Sequence, residues 1–212
     1  MLDFRPRSFN MDSNPLRTPN LKALARLMRS AGLNATTFAA PQEFLDNHNQ
    51  NALGCLVLDV AMPHMNGLEL QQKLVTRGCE LPVIFLTGHG DIPMSVRAIK
   101  QGAVDFLIKP ARDSDLIEAI HDAIEKNRIA RQARVILNEL QQRLATLTPR
   151  EREVLVRVVS GKKNRQIADE LGTVEKTIKV HRAHLMKKLK AGSLADLVKL
   201  AERLGIIASL PD

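Results

Sequence analysis

At 212 residues the chain is long enough for one large domain or two modest ones of roughly 150 residues or fewer, which excludes a large multidomain assembly. With 31 Lys and Arg against 23 Asp and Glu, a net charge of +8 and 44% hydrophobic residues, it can bury cores and still present a basic surface, so nucleic acid is the first partner to consider. There is no Trp or Tyr and there are six Phe, which argues against a single-strand reader built on aromatic platforms and favours a duplex read by charge and a helix.

Cys55 and Cys79 lie in apolar surroundings without metal-ligand spacing, so core packing is their expected role. The longest apolar runs are strand-sized and the N-terminus has no unbroken apolar core of a leader, so a soluble, cytoplasmic protein with no membrane partner is expected. The charge is unevenly spread. Residues 1–125 hold 12 basic and 14 acidic side chains, and residues 126–212 hold 19 and 9, giving net charges of −2 and +10. A near-neutral half followed by a strongly basic one points to two domains with separate tasks.

In chain order, residues 1–20 contain three Pro and three Asn and no Val or Ile, so a divergent, irregular N-terminus without a central strand is expected. A helix at 21–30 follows, closed by Gly32. From Asn34 to Lys126, strand-like runs at 35–38, 55–59, 82–87 and 105–109 alternate with helical stretches at 41–48, 66–75, 93–101 and 114–126. This alternation predicts an α/β domain over 21–126, a doubly wound parallel sheet with helices on both faces. Over 127–146 a helical linker is predicted. Ile129, Ala133, Ile136, Leu140, Leu144 and Leu147 form one apolar stripe there, fit for a packing face or a short two-stranded coiled coil. Residues 147–212 read as a second, smaller all-α domain of four short helices, broken near Gly161, Gly172 and Gly192.

Open parallel sheets bind ligands at the carboxyl ends of their strands, and the residues closing the strands here are Asp59, Thr87 and Lys109. An acid ending the run Leu56, Val57, Leu58 is costly to desolvate without a partner or a task. Composition alone allows a buried Asp–Lys ion pair beside a strand-end threonine. The spacings of 28 and 22 residues, within Leu-Asp-Val-Ala-Met-Pro-His-Met-Asn-Gly (58–67) and Gly-Ala-Val-Asp-Phe-Leu-Ile-Lys-Pro (102–110), add a second reading. They resemble the flavodoxin-like receiver domain of two-component response regulators of the FixJ/NarL type, over about residues 21–126.

The resemblance implies that Asp59 is a phosphoacceptor served by a sensor histidine kinase or a small phosphodonor. Lys109 would neutralise phosphoryl charge, Thr87 would hydrogen-bond a phosphoryl oxygen, and Phe106 would be the aromatic switch. It also implies a face formed by 93–101 and 105–109, bearing Arg97, Lys100 and Asp105, through which two copies pair as a homodimer. Receivers of this kind hold Mg²⁺ between the phosphoacceptor, here Asp59, a backbone carbonyl, here near Ala61, and two acids after the first strand. Counting back from the helix at 21–30, that pair falls at Pro15 and Leu16, with Asp12 the nearest acid. Two readings stay open: a phosphorylated receiver with an aberrant start, or a degenerate one that reacts slowly or not at all and leaves DNA binding independent of phosphorylation. An aspartyl-phosphate hydrolase is a weaker third reading, because the second Asp of such enzymes is replaced by Ala61. A non-enzymatic protein is expected.

In the basic half, Ile167, Ala168, Leu171, Val174, Ile178, Leu185 and Leu189 recur at helical spacings interrupted at Gly172, as in a helix-turn-helix. On a helix from 174 to 189, Val174, Ile178, Leu185 and Leu189 share one side, and Lys176, Lys179, Val180, Ala183 and Lys187 the other. Cations with small apolar groups suit the major groove of double-stranded DNA, although a plain solvated lysine face has the same composition. Leu147-Thr-Pro-Arg-Glu-Arg-Glu-Val-Leu, Asn164-Arg-Gln-Ile-Ala and Thr177-Ile-Lys-Val-His-Arg resemble the LuxR-type DNA-binding domain over 147–206. The resemblance implies that Lys179 and Val180 approach base edges, that Lys176, Arg182, Lys187 and Lys188 contact or flank phosphates, and that Asn164 and Arg165 hold the backbone. It also implies that the last helix, 194–204, can pair two such domains. His181 and His184 have no third ligand, so no metal site is expected there.

Overall fold

Two runs of β-branched and large apolar residues, Cys55–Leu58 (β3) and Val83–Thr87 (β4), are buried at every position, as strands covered on both faces must be. They pair in parallel, and Asp105–Ile108 (β5) continues the sheet in parallel on the far side of β4. The computed structural model describes residues 2–5, 19–38, 40–49, 52–88 and 92–206. Asn34–Thr37 (β2) lies at the other edge, and the order across the five-stranded sheet, with Leu2–Arg5 as β1, is β2-β1-β3-β4-β5. This is the flavodoxin-like order expected of the first domain.

Alternation along the central strands sends side chains to two cores. Leu56, Leu58, Val83 and Phe85 face Phe44, Leu70, Leu74 and Ala98, which belong to helices α2 (Pro41–Asn47), α3 (Gly67–Thr76) and α4 (Ile92–Lys100). Cys55, Val57, Ile84 and Leu86 face Met28 of α1 (Pro19–Ser30) and Leu116, Ile120 and Ala123 of α5 (Asp113–Ala145). Cys55 and Cys79 both take core positions, one in each cluster. Helix α1 stops where Gly32 adopts φ +79° and the Leu33 amide turns back to the Met28 carbonyl at 2.9 Å.

The first strand corrects the sequence reading. No strand was expected in residues 1–20, yet Leu2–Arg5 pairs with both neighbours, Leu2 opposite Thr37 and Val57 and Phe4 opposite Ala35 and Cys55. The prolines begin at Pro6, so these four residues keep every amide available to the ladder. Both pairings are antiparallel, so the sheet is mixed and has no open edge inside it. Reversal carries a further consequence: Leu2, where the strand begins, lies towards the Asp59 end of β3, and Arg5, where it ends, lies towards the opposite end. Pro15, Leu16 and Asp12, the positions considered for a metal-binding acid, lie outside the described residues.

Helix α5 runs unbroken for 33 residues where two segments were predicted. Its residue Asn127, expected to open a linker, is buried in the first unit. Its amide accepts from the Gly54 N–H at 3.3 Å and donates to the Glu80 carbonyl at 3.1 Å. The chain divides into compact units at Arg131 and Gln132.

In the second unit, α6 (Pro149–Val159), α7 (Asn164–Glu170), α8 (Glu175–Leu189) and α9 (Leu194–Arg203) enclose a core of Leu147, Val154, Leu155, Val158, Ile167, Ala168, Ile178, Leu185, Leu189 and Leu197. Of the predicted stripe, Leu144 packs on this core and Leu147 belongs to it, and Ile129 and Ile136 are exposed. No described helix is long and apolar enough to cross a membrane.

Candidate functional site

Asp59 directly follows β3, where the chain turns over the sheet edge. Its Oδ2 accepts a hydrogen bond from Lys109 Nζ at 2.8 Å, across 50 residues of sequence, and its Oδ1 accepts from the Ala61 amide at 3.1 Å. The buried Thr87, at the end of β4, adds a hydroxyl that favours the ionised form of the same carboxylate. Burial is the largest influence on the Asp59 carboxyl and acts to raise its pKa. The Lys109 hydrogen bond, the Ala61 amide, the Lys109 charge and the Thr87 hydroxyl together outweigh it and hold the group below its ordinary value. The carboxylate is thus an anion at neutral pH, and it stays about one-third exposed, reachable by an incoming group.

The loop after Asp59 is fixed by the start of α3. Asn66 caps the helix by accepting from the Glu69 amide at 2.8 Å, and Glu69 reaches back to the Asn66 amide. At Gly67 an added Cβ would lie 2.5 Å from the Asp59 carbonyl oxygen and 2.9 Å from the Phe85 ring, so only glycine fits beside the site. The sequence reading gave these residues no role, although the Asn-x-x-Glu spacing was legible as a cap.

Phe106 is half-buried and packs at 6.0 Å, ring to ring, on Phe85 behind the site. On the adjoining face Arg97 and Lys100 are exposed and Asp105 is half-buried, with its carboxylate accepting from the Phe106 amide at 2.7 Å. Ile92, Val96, Ile99 and Ile108 are exposed on the same two elements.

Among the described residues no three or more His, Cys, Asp and Glu side chains gather to hold a metal ion. Among the described residues at the sheet edge the donors are the Asp59 carboxylate, already engaged on both oxygens, and backbone carbonyls. That set does not by itself make an Mg²⁺ site.

In the second unit the recognition-helix candidate is α8. Lys176, Lys179 and Val180 are exposed, Lys187 is exposed near its end, and Lys179 pairs with Glu175 at 3.0 Å. Asn164, at the start of α7, accepts from Arg182 Nη1 at 3.0 Å, which ties the two helices of the motif together, and Arg165 beside it is exposed. Two expectations need correction. Lys188, expected at phosphates, turns inward to the buried carboxylate of Glu151 at 2.6 Å and to the Thr146 carbonyl at 3.1 Å. Val174, expected on the buried side of α8, is 64% exposed, because as N-cap its φ of −101° and ψ of 151° take it off the helical stripe. His181 is half-buried and His184 lies 3.9 Å from Glu151.

Comparison with known proteins matches both parts of the chain to families. Residues 17–121 match the response regulator receiver domain family, and residues 145–201 match the luxR family of bacterial regulatory proteins. The chain is 46% identical to nodulation protein W of Bradyrhizobium diazoefficiens over 188 residues, covering 89% of this chain and 83% of that protein. It is 40% identical to the transcriptional regulatory protein FixJ of the same species over 181 residues, covering 85% and 88%. Among solved structures, the response regulator StyR matches with a TM-score of 0.79 at 46% identity, covering 86% of this chain and 92% of that one. Full-length FixJ from B. japonicum matches at 0.52 and 40% identity, covering 88% and 92%. Receiver domains generally bind Mg²⁺ for phosphorylation. The chain belongs to the two-component response regulators of the FixJ/NarL type, transcription regulators in which a receiver domain is followed by a LuxR-type DNA-binding domain.

Proposed function

We propose that Asp59 is the phosphoacceptor and that its phosphorylation by a sensor histidine kinase controls binding of the α8 helix to double-stranded DNA. The observation that carries this reading is the Asp59 carboxylate, ionised and held at 2.8 Å from Lys109 at the carboxyl edge of the sheet, with the Thr87 hydroxyl on the same group. A carboxylate oxygen attacks phosphorus, the bond to the donor's nitrogen or oxygen breaks, and the donor leaves with the electron pair. Lys109 neutralises charge on the incoming group, and Thr87 donates to a phosphoryl oxygen. Phe106, packed on Phe85 behind Thr87, transmits the movement of Thr87 to the face of α4 and β5. The exposed Ile92, Val96, Ile99 and Ile108, with Arg97, Lys100 and Asp105, suit a self-complementary contact between two receivers.

On DNA, Lys179 and Val180 face base edges. Lys176, Arg182 and Lys187 meet phosphates, and Asn164 and Arg165 hold the backbone at the start of α7. Lys188 has no part in this set. The protein works in the cytoplasm as a homodimer and carries out no turnover of its own. Among the described residues, Asp59 and a backbone carbonyl near Ala61 are the groups that would contribute to holding Mg²⁺. Intact mass after incubation with acetyl phosphate tests the phosphoacceptor, with Asp59→Asn as control: the wild type gains one phosphoryl group and the variant gains none.

A further inference from the structure

Val174 breaks two local rules at once. It is the N-cap of α8, a position where Ser, Thr, Asp or Asn would satisfy an unpaired helix amide and where Val does not; its side chain makes no capping bond. In the same unit, α6 and α9 are capped by Thr148 and Ser193, each accepting from an amide of the first turn, and the N-cap of α7 is Lys163, a long polar side chain without a capping bond of its own, so Val174 is the one apolar N-cap of these four. Val174 is also 64% exposed, more than any other large apolar side chain described in that unit, and it packs on no buried cluster. Neither helix stability nor the core accounts for a valine here. Such inconsistencies gather at functional positions.

We infer that Val174 is a specificity-determining residue that seats its methyl groups against the C5-methyl of a thymine in the major groove. The inference rests on the assignment of α8 as the recognition helix. In helix-turn-helix proteins the N-terminal end of that helix meets the base edges, and Val174 stands at that end beside the exposed Lys176 and Lys179. Around it the groove offers phosphates, polar base edges and the thymine methyl. Valine has no donor for the first two, and the third is the one apolar partner.

The test uses the full-length protein and a randomised duplex pool to obtain its preferred site, followed by replacement of each thymine in that site by uracil, which removes one methyl. The wild type is expected to lose about four-fold in affinity at one thymine per half-site, the worth of one buried methyl-sized group. Val174→Ser restores a capping hydroxyl and therefore folds, with a melting temperature at or above the wild type. It is expected to be indifferent to uracil at that thymine while keeping the other preferences. The assignment is overturned if Val174→Ser keeps the wild-type uracil profile. It is also overturned if the variant binds every duplex more tightly by one common factor, which would place Val174 against the protein's own surface. If the wild type selects no sequence at all, the recognition-helix reading fails, and the Val174 assignment with it.

Discussion

Lys188 lies 2.6 Å from Glu151, a carboxylate with 4% of its side chain exposed, and this contact ties the end of α8 to the start of α6. The same carboxylate closes a capping box by accepting from the Thr148 amide at 2.8 Å. Removing the cation leaves a buried charge supported by Thr148, with His184 at 3.9 Å. Lys188→Ala is expected to destabilise the DNA-binding unit by about 3 kcal/mol, the low end for a broken buried pair because Lys188 itself reaches solvent. Chemical denaturation followed by circular dichroism measures this. At equal folded concentration, the salt dependence of DNA binding should match the wild type.

That pair also sets an acid limit. Burial, the largest influence on Glu151, acts to raise its pKa, but the Lys188 bond and charge and the Thr148 amide and hydroxyl prevail and hold it below its ordinary value. A depressed carboxyl stabilises the fold above its unfolded pKa of about 4.3, and that contribution disappears as pH falls through the lower folded value. Melting of the second unit should therefore be insensitive to this group from pH 7 to about 5 and weaken below about 4. Glu151→Gln should be less stable at pH 7 and show a shallower decline in acid.

Gly67 makes the Asp59 loop intolerant of any side chain. An added Cβ meets the Asp59 carbonyl at 2.5 Å, a backbone atom that can move only by shifting Asp59 itself. Gly67→Ala is expected to cost about 2 kcal/mol of receiver stability, as overpacking does, and to slow phosphorylation from acetyl phosphate. Thermal melting and a phosphorylation time course check the two effects.

For the groove face, Lys179→Ala separates base contact from phosphate contact. If Lys179 meets a base edge, discrimination relaxes by about 1 to 3 kcal/mol at one position with the salt slope unchanged; if it meets a phosphate, the slope falls by about 1. Titrations on a preferred and a random duplex at several salt concentrations distinguish these outcomes. No change in either would remove α8 as the recognition helix.

The fold was most legible where burial leaves little choice. The apolar runs at Cys55–Leu58 and Val83–Thr87 could only be covered strands, and Asp59, Thr87 and Lys109 converge because strand ends converge. The reversed β1 was not legible, since four proline-free residues with two apolar side chains are too short a signal beside a stretch rich in Pro and Asn. Periodicity also failed at Lys188 and Val174. Helical position says which side a residue occupies, but a buried acid on another helix pulled Lys188 inward, and the N-cap backbone took Val174 off the stripe. Both errors concern partners and termini, which a helical wheel does not represent.

The central claim is that the Asp59 carboxylate, poised by Lys109 and Thr87, accepts a phosphoryl group and thereby changes DNA binding. Its most direct measurement is the intact mass of wild type and Asp59→Asn after acetyl phosphate and Mg²⁺, with DNA affinity read on the same samples. The expected result is a gain of one phosphoryl group at Asp59, together with tighter DNA binding that Asp59→Asn lacks. A wild type that gains no phosphoryl group, or an Asp59→Asn variant that gains one, would contradict it.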